Sequence, residues 1–256
     1  MNSWKSKMPD CVPRLISILG TRVSLFESYD HAVQLIRHRI SSRSPTFCVA
    51  INPEKVYRAM RDQRLSRVLD SAHVRICDGI GISLASMLLY RKRLPRCTGI
   101  DLFLRLIRLS AEEGWKVFLL GASPHSNATA SRELVKTYPA LKVVGRQDGY
   151  FKDSSAVVDQ INRSKADLLF VAMGTPRQEL WIAEQMPRLR TSFCMGVGGS
   201  LDVISGAGKR APALFRKTGT EWLFRLLAEP SRLRRQMVLP LFTMEILRAM
   251  ATLRER

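Results

Sequence analysis

The chain has 256 residues, 46% hydrophobic and 25% charged, which is enough apolar content to bury a full core and excludes a disordered polyelectrolyte. Its 41 Lys and Arg against 22 Asp and Glu leave a formal charge of +19, so the partner is expected to be anionic: nucleic acid, an anionic membrane face or phosphorylated ligands. Five cysteines, odd in number and without a C-x-x-C spacing, exclude a disulfide framework and point to buried thiols in a reducing compartment.

In chain order, residues 1–19 carry no pattern with a functional reading. No basic stretch followed by an apolar one opens the chain, and nowhere are there about 20 uninterrupted apolar residues, so a cytoplasmic protein without a spanning helix is expected. A helical period over 30–40 leads into an apolar, β-branched run at 46–51. Helical 54–62, strand 73–77, helices 80–89 and 100–113, and strand 115–120 follow, then helix 124–138, strand 141–145, helix 154–163, strand 166–172, helix 176–189, strand 192–196 and helix 221–227. This alternation predicts an α/β fold, a Rossmann-like and mostly parallel sheet with helices on both faces. Ser123-Pro124 reads as an N-cap followed by Pro at the first helical position, Thr175-Pro176 as a repeat of that device, and Gly114 as the stop after Glu113. In such sheets ligands bind beyond the carboxyl ends of the strands, so the loops after Ile51, Cys77, Leu120, Ala172 and Gly196 are expected to line the site.

Asp78-Gly79-Ile80-Gly81 puts a carboxylate at a strand tip beside glycines that let a substrate approach; Asp78 suits a general base and equally an N-cap. Arg96 stands just before a helix beginning at Thr98 or Gly99, which suits either a phosphate site or a surface Arg beside an ordinary cap, and the local pattern favours the latter. Gln178 offers a donor and an acceptor in the first turn of its helix, where Glu179 complements the dipole. Gly196-Val197-Gly198-Gly199-Ser200-Leu201-Asp202 is glycine-rich without being G-x-G-x-x-G or a Walker loop, and Asp202 is placed to bind a ribose hydroxyl if a nucleotide sits there. The scattered His31, His38, His73 and His125 give no metal-ligand spacing.

At Gly206-Ala207-Gly208 a glycine-rich loop gives way to Lys209-Arg210-Ala211-Pro212, which divides the chain into a core over 1–208 and a basic helical C-terminal appendage over 209–256. The appendage holds eleven basic and four acidic residues. Arg225, Arg232 and Arg235 recur at spacings of seven and three, and spacing alone favours a solvated basic face over a phosphate clamp. The apolar stretch 237–253 is broken by Pro240, Glu245 and Arg248 and reads as interfacial or packed.

Eight ordered blocks together resemble the WecG/TagA/CpsF glycosyltransferase family, most closely its UDP-N-acetylmannosaminuronic acid transferase branch. They are Val49-Ala50-Ile51-Asn52-Pro53-Glu54-Lys55, Asp78-Gly79, Thr98-Gly99-Ile100-Asp101-Leu102, Gln147-Asp148-Gly149-Tyr150-Phe151, Met173-Gly174-Thr175-Pro176-Arg177-Gln178-Glu179, Gly196-Val197-Gly198-Gly199, Lys209-Arg210-Ala211-Pro212, and Glu221-Trp222-Leu223 through Glu229-Pro230-Ser231-Arg232. The resemblance implies an inverting, metal-independent UDP-sugar transferase, with no cofactor and with a polyprenyl-diphosphate-linked saccharide as acceptor. It assigns the base to Asp78, polar site roles to Asn52, Arg96 and Gln178, donor binding to Asp202 with the Gly198-Gly199 loop, and neutralisation of the UDP diphosphate to Arg225, Arg232 and Arg235. Arg225, Arg232 and Arg235 are thereby read as a clamp rather than a solvated face.

Where teichoic-acid members carry Thr-x-Asn, this chain reads Ala50-Ile51-Asn52, which favours enterobacterial-common-antigen-like or exopolysaccharide sugars. The implied donor sugar is of the N-acetylmannosamine type, as its uronate, with a hexosyltransferase extending a lipid-linked oligosaccharide for exopolysaccharide as the alternative. Arginines mixed with long aliphatics in the tail suit an anionic membrane, so peripheral attachment to the inner face of the cell membrane is expected, with self-association in solution while the site is undocked. The charge of +19 also motivates a nucleic-acid-binding reading, which would require aromatics interleaved with the basic stripe and a recognisable module; neither is visible. A non-catalytic membrane scaffold is the remaining alternative.

Overall fold

The computed structural model describes residues 13–228 and 237–254. It opens on a hairpin that no sequence pattern announced, β1 (Leu15–Ile18) and β2 (Thr21–Ser24), turning on Leu19 and Gly20 with φ of 49° and 84°. Two positive φ values in a two-residue loop match the twist of the flanking strands. The strands are only four residues long and Leu stands where Asn or Asp would signal such a turn, so the hairpin left no mark in the sequence pattern.

All six predicted strands form, each within about two residues of its expected bounds. After α1 (Tyr29–Ser41) come β3 (Thr46–Ile51), α2 (Pro53–Ala59), α3 (Gln63–Ser71), β4 (Val74–Cys77), α4 (Ile80–Tyr90), α5 (Gly99–Glu113), β5 (Lys116–Gly121), α6 (Pro124–Thr137), β6 (Lys142–Gln147), α7 (Ser154–Ser164), β7 (Leu168–Ala172), α8 (Arg177–Gln185) and β8 (Phe193–Gly196). The strands make one parallel sheet in the order β4-β3-β8-β7-β5-β6. β3 shows why the chain folds this way. Every one of its residues is buried, Phe47, Val49 and Ile51 on one face and Cys48 and Ala50 on the other. The first face is covered by α2, α3, α4, α7 and α8, the second by α1, α5 and α6.

Capping residues set several boundaries. The Ser28 hydroxyl accepts from the His31 amide, Ser123 caps α6 ahead of Pro124, and Gly114 at φ 72° closes α5. Two sequence expectations need correction here. Asp62, predicted as the last residue of a helix over 54–62, is instead the N-cap of α3, its carboxylate accepting from the Arg64 and Leu65 amides. Thr175 does not cap α8: Pro176 holds the N-cap position without a side-chain cap bond, and the Thr175 hydroxyl reaches Glu179 Oε1 at 3.3 Å.

Beyond β8 the chain continues through α9 (Ser200–Ile204), α10 (Ala213–Thr218), α11 (Glu221–Ala228) and α12 (Val238–Arg254). Pro240 does not interrupt α12, because it lies in the first turn, where its missing N–H is not needed. α12 packs against α2 and α4 and buries Phe242 and Ile246 in the same core cluster as α2 and α8. Among the described residues no helix is long and apolar enough to cross a membrane. Cys48, Cys77, Cys97 and Cys194 are free and buried, and burial pushes the Cys48 and Cys194 thiols up to about 12.

Gly121 ends β5 at φ 109°, and a Cβ built there would strike the Ala172 carbonyl on β7. Gly121→Ala combines a forbidden backbone angle with a clash against a neighbouring strand, and is expected to cost at least 2 kcal/mol of unfolding free energy. Urea titration followed by circular dichroism measures this; a loss under about 0.5 kcal/mol would show that the β5–β7 edge yields freely.

Candidate active site

Strand register decides which loops meet. Ile51 stands opposite Cys77, so Asn52 and Asp78 leave the sheet side by side; Val171 stands opposite Gly196, which brings Gly174 and Thr175 beside Val197 and Gly198. These four adjacent strand ends, β4, β3, β8 and β7, line a cleft of about 880 Å³. The loop after Leu120, expected to contribute, does not line it. β5 lies beyond β7, and its loop is drawn toward β6 by Gly149 N–H donating to the Ala122 carbonyl at 2.9 Å and by the Asn127 amide donating to the Gly121 and Gln147 carbonyls at 2.8 and 3.1 Å.

Asp78 is half-buried in this cleft, its own N–H donating to the Ile51 carbonyl at 2.8 Å. The α4 N-cap is Gly79, at φ 91° and without a side-chain cap bond, so Asp78 does not serve as that cap. Its Oδ1 accepts instead from the Gly99 N–H at 3.3 Å, the first amide of α5, where the helix dipole favours negative charge. Burial, then the Asp78 charge, pushes the adjacent Cys77 thiol up to about 12. Burial, with Cys48 and Asp78 adding to it, moves Cys97 in the same direction. Both thiols therefore stay protonated at neutral pH and do not compete with the carboxylate for a proton.

Asn52 caps α2, its Oδ1 accepting from the Lys55 amide at 2.9 Å, and lines the cleft beside Asp78. Gln178 is only 2% exposed; its Nε2 donates to Glu179 Oε1 at 2.8 Å and its Oε1 accepts from the Gly198 N–H at 3.0 Å. Gly196 makes room for it, since a Cβ there would lie 2.5 Å from Gln178 Nε2. Gly198, at φ 53°, begins the turn that places Gly199 and the first-turn Asp202 of α9 on the same cleft.

Beneath these groups lies a pair that the sequence reading did not identify. Lys55 and Glu179 are 4% and 1% exposed and meet at 2.9 Å, Nζ to Oε1, while Lys55 Nζ also donates to the Ala50 carbonyl at 2.7 Å. Glu179 thus serves as the shared acceptor for Lys55, Gln178 and Thr175 rather than merely complementing the dipole, and its Oε2 has no hydrogen-bond partner among the described residues. One signal pointed to Lys55. A cation in the first turn of a helix opposes the dipole, which calls for another partner.

Arg96 lines the cleft but is turned to the tail. Its guanidinium pairs with Glu221 at the start of α11 and donates through Nη1 to the Arg216 carbonyl of α10 at 2.5 Å. The amide of Gly99, which the less favoured phosphate-site alternative for Arg96 would have used, is engaged by Asp78. Glu221, absent from the expected site, is therefore what ties the appendage to the cleft rim, together with Gly219, where a Cβ would stand 2.9 Å from Ile80. Trp222, Leu84, Leu88, Phe242 and Ile246 form an apolar wall. Of the three tail arginines, Arg225 belongs to α11, and Arg232 and Arg235 lie outside the described residues. Among the described residues no three His, Cys, Asp or Glu side chains are grouped so as to hold a metal ion.

Comparison with known proteins bears on this geometry. The model of the Glycosyl transferase WecG/TagA/CpsF family matches residues 16–256. A Bacillus spizizenii (strain ATCC 23059 / NRRL B-14472 / W23) protein named N-acetylglucosaminyldiphosphoundecaprenol N-acetyl-beta-D-mannosaminyltransferase is 37% identical over 202 residues, 79% of each chain. A protein of the same name from Bacillus subtilis (strain 168) is 32% identical over 214 residues, 84% of each chain.

Removing one partner of a buried ion pair leaves the other charge uncompensated, so Glu179→Gln is expected to lower stability by about 3–5 kcal/mol. Lys55→Met combined with Glu179→Leu removes both charges and should recover most of that loss. Chemical denaturation of Glu179→Gln, Lys55→Met, Glu179→Leu and the double variant is the measurement; a double-variant loss equal to the sum of the Lys55→Met and Glu179→Leu losses would show that Lys55 and Glu179 are not coupled.

Proposed function

Because the chain belongs to the WecG/TagA/CpsF glycosyltransferase family, we propose that it moves an N-acetylmannosamine-type sugar from UDP to an N-acetylglucosaminyl-diphosphate-polyprenol, with inversion at the anomeric carbon. Support for the donor and acceptor classes comes from the names of the two Bacillus relatives. The observation that carries the chemistry is the Asp78 carboxylate at the tip of β4, in the cleft, next to the first amide of α5.

In this reading Asp78 takes the proton from the acceptor hydroxyl as its oxygen attacks the anomeric carbon. The bond from that carbon to the UDP oxygen breaks, and UDP departs with the electron pair. Negative charge grows on the diphosphate in the transition state, and positive groups placed there before reaction lower the barrier. Arg225, Arg232 and Arg235 of the appendage supply it, guanidiniums being suited to bidentate phosphate contacts. Neither a metal ion nor another cofactor is assigned a role. Asn52, Arg96 and Gln178 are the polar site residues; Gly198, Gly199 and Asp202 hold the donor, Asp202 through a ribose hydroxyl. The division into a core over 1–208 and an appendage over 209–256 follows this scheme. So do peripheral attachment at the inner membrane face and self-association of the undocked enzyme.

The uronate of the same sugar, and a hexose added to a longer lipid-linked oligosaccharide, are the competing donors. Incubation with a panel of UDP-sugars and a short-chain acceptor separates them, since only the right donor releases UDP rapidly. With that donor, Asp78→Asn is expected to slow UDP release by about 10²–10⁴-fold while the melting temperature holds. Turnover within threefold of the parent enzyme would remove Asp78 from the base role, and full function without UDP release would favour a scaffold.

A further inference from the structure

α4 is unusual in what it lacks. Its residues, Ile80-Gly81-Ile82-Ser83-Leu84-Ala85-Ser86-Met87-Leu88-Leu89-Tyr90, include no charged side chain, and it is the only helix of the described residues of which that is true. A helix apolar all round normally sits wholly inside a protein. Here only one side does, with Ile82 and Ala85 in the core, while Leu84, Met87 and Leu88 are 54%, 42% and 50% exposed. The chain leaves this helix through Arg91-Lys92-Arg93, three consecutive exposed cations, none of them in an ion pair among the described residues.

The exposed face is continuous with two other features. Leu84 and Leu88 also form part of the cleft wall, so the apolar strip runs from the candidate active site to the surface. Against α4 packs α12, which buries Phe242 and Ile246 and exposes Leu241, Met244 and Leu247. Two adjacent helices thus show leucines and methionines to the outside at the mouth of a cleft, and one of them ends in a cationic cluster. Apolar side chains that enter the headgroup boundary, bordered by Lys and Arg that stay among anionic headgroups, are the features by which a protein rests on a bilayer without crossing it.

We propose that the exposed face of α4 with Arg91, Lys92 and Arg93, alongside α12, is a docking surface for an anionic phospholipid bilayer. The membrane contact then draws on a helix and a cationic loop of the α/β core and does not depend on the C-terminal appendage alone. The proposal deepens the transferase reading and rests on it for its biological sense, since a lipid-linked acceptor would enter the cleft from the surface on which α4 rests.

The test uses the full chain and sedimentation with vesicles, either phosphatidylglycerol mixed with phosphatidylethanolamine or phosphatidylcholine alone. The unsubstituted protein should bind the anionic vesicles and bind phosphatidylcholine far more weakly. R91Q/K92Q/R93Q should weaken binding to anionic vesicles by about 100-fold, from roughly fivefold for each cation near the surface. Met87→Glu, which places a carboxylate on the apolar face, should weaken it at least tenfold. R132Q/K136Q/K142Q removes the same charge around α6 and β6 and should change binding less than threefold.

UDP release on a short-chain soluble acceptor should stay within twofold of the unsubstituted protein in all three variants. Absence of vesicle binding by the unsubstituted protein would overturn the proposal, pointing to a protein partner for this face. Parent-like binding by both α4-region variants would do the same, as would an equal loss in the α6 control. Vesicle binding is read independently of turnover, so an α4-dependent membrane contact in a protein that releases no UDP from any donor would count against the transferase reading and not against the surface.

Discussion

The buried ion pair between Lys55 and Glu179 is the contact on which the shape of the cleft depends. Each charge leaves water on folding, and such a transfer is tolerated only where geometry and hydrogen bonding compensate for it. Lys55 meets that demand with the Ala50 carbonyl at the end of β3 and with Glu179 on α8. Glu179 in turn accepts from Gln178, and Gln178 accepts from the Gly198 amide in the loop after β8. Three strand-end segments are thereby fixed to one another through a single carboxylate oxygen. A hydrogen bond in this dry environment is stronger than in water, and for the same reason a lost partner is more costly.

That arrangement explains the division of labour around the cleft. The polar floor is held by hydrogen bonds to fixed neighbours: Asn52 caps α2, Gln178 is bonded at both ends, and Asp78 accepts from the Gly99 amide. The rim is built differently. Arg96 grips Glu221 and the Arg216 carbonyl, so the beginning of the appendage is attached to the core by charge. Beyond it α12 is attached by Phe242 and Ile246 buried against the sheet-covering helices. A glycosyltransferase acting on a lipid-linked acceptor has to meet a sugar, a diphosphate and an isoprenoid at one place. A cleft with a polar floor, a charged rim and an apolar wall offers chemistry for each.

Much of the fold was legible in the sequence because a parallel sheet leaves a strong trace. Continuous apolar runs such as 46–51 and 168–172 belong to strands buried on both faces, and the Ser123-Pro124 and Gly114 boundaries follow from backbone chemistry that needs no tertiary partner. The hairpin at residues 15–24 left no comparable trace, since its strands are too short for periodicity and its turn uses Leu19. α3 was missed because Asp62, a good cap, was read as the end of the preceding helix. α12 could be read only as interfacial or packed, because an apolar helix that buries one face and exposes another has the composition of either.

For the site, the strand-tip position of Asp78, Asn52 and Gln178 followed from the alternation of strands and helices, which places every post-strand loop at the same end of the sheet. The sequence by itself therefore determined the fold class, the glycosyltransferase family and the stretch of chain from which the cleft is drawn. Only the tertiary structure decided which loops meet, leaving the one after β5 outside, and which polar groups bind each other. Lys55 and Glu179 lie 124 positions apart, and Arg96 and Glu221 lie 125 apart. Local pattern follows from the geometry of a few successive residues, whereas the pairing of buried charges depends on strand order and register, which no short stretch of sequence contains.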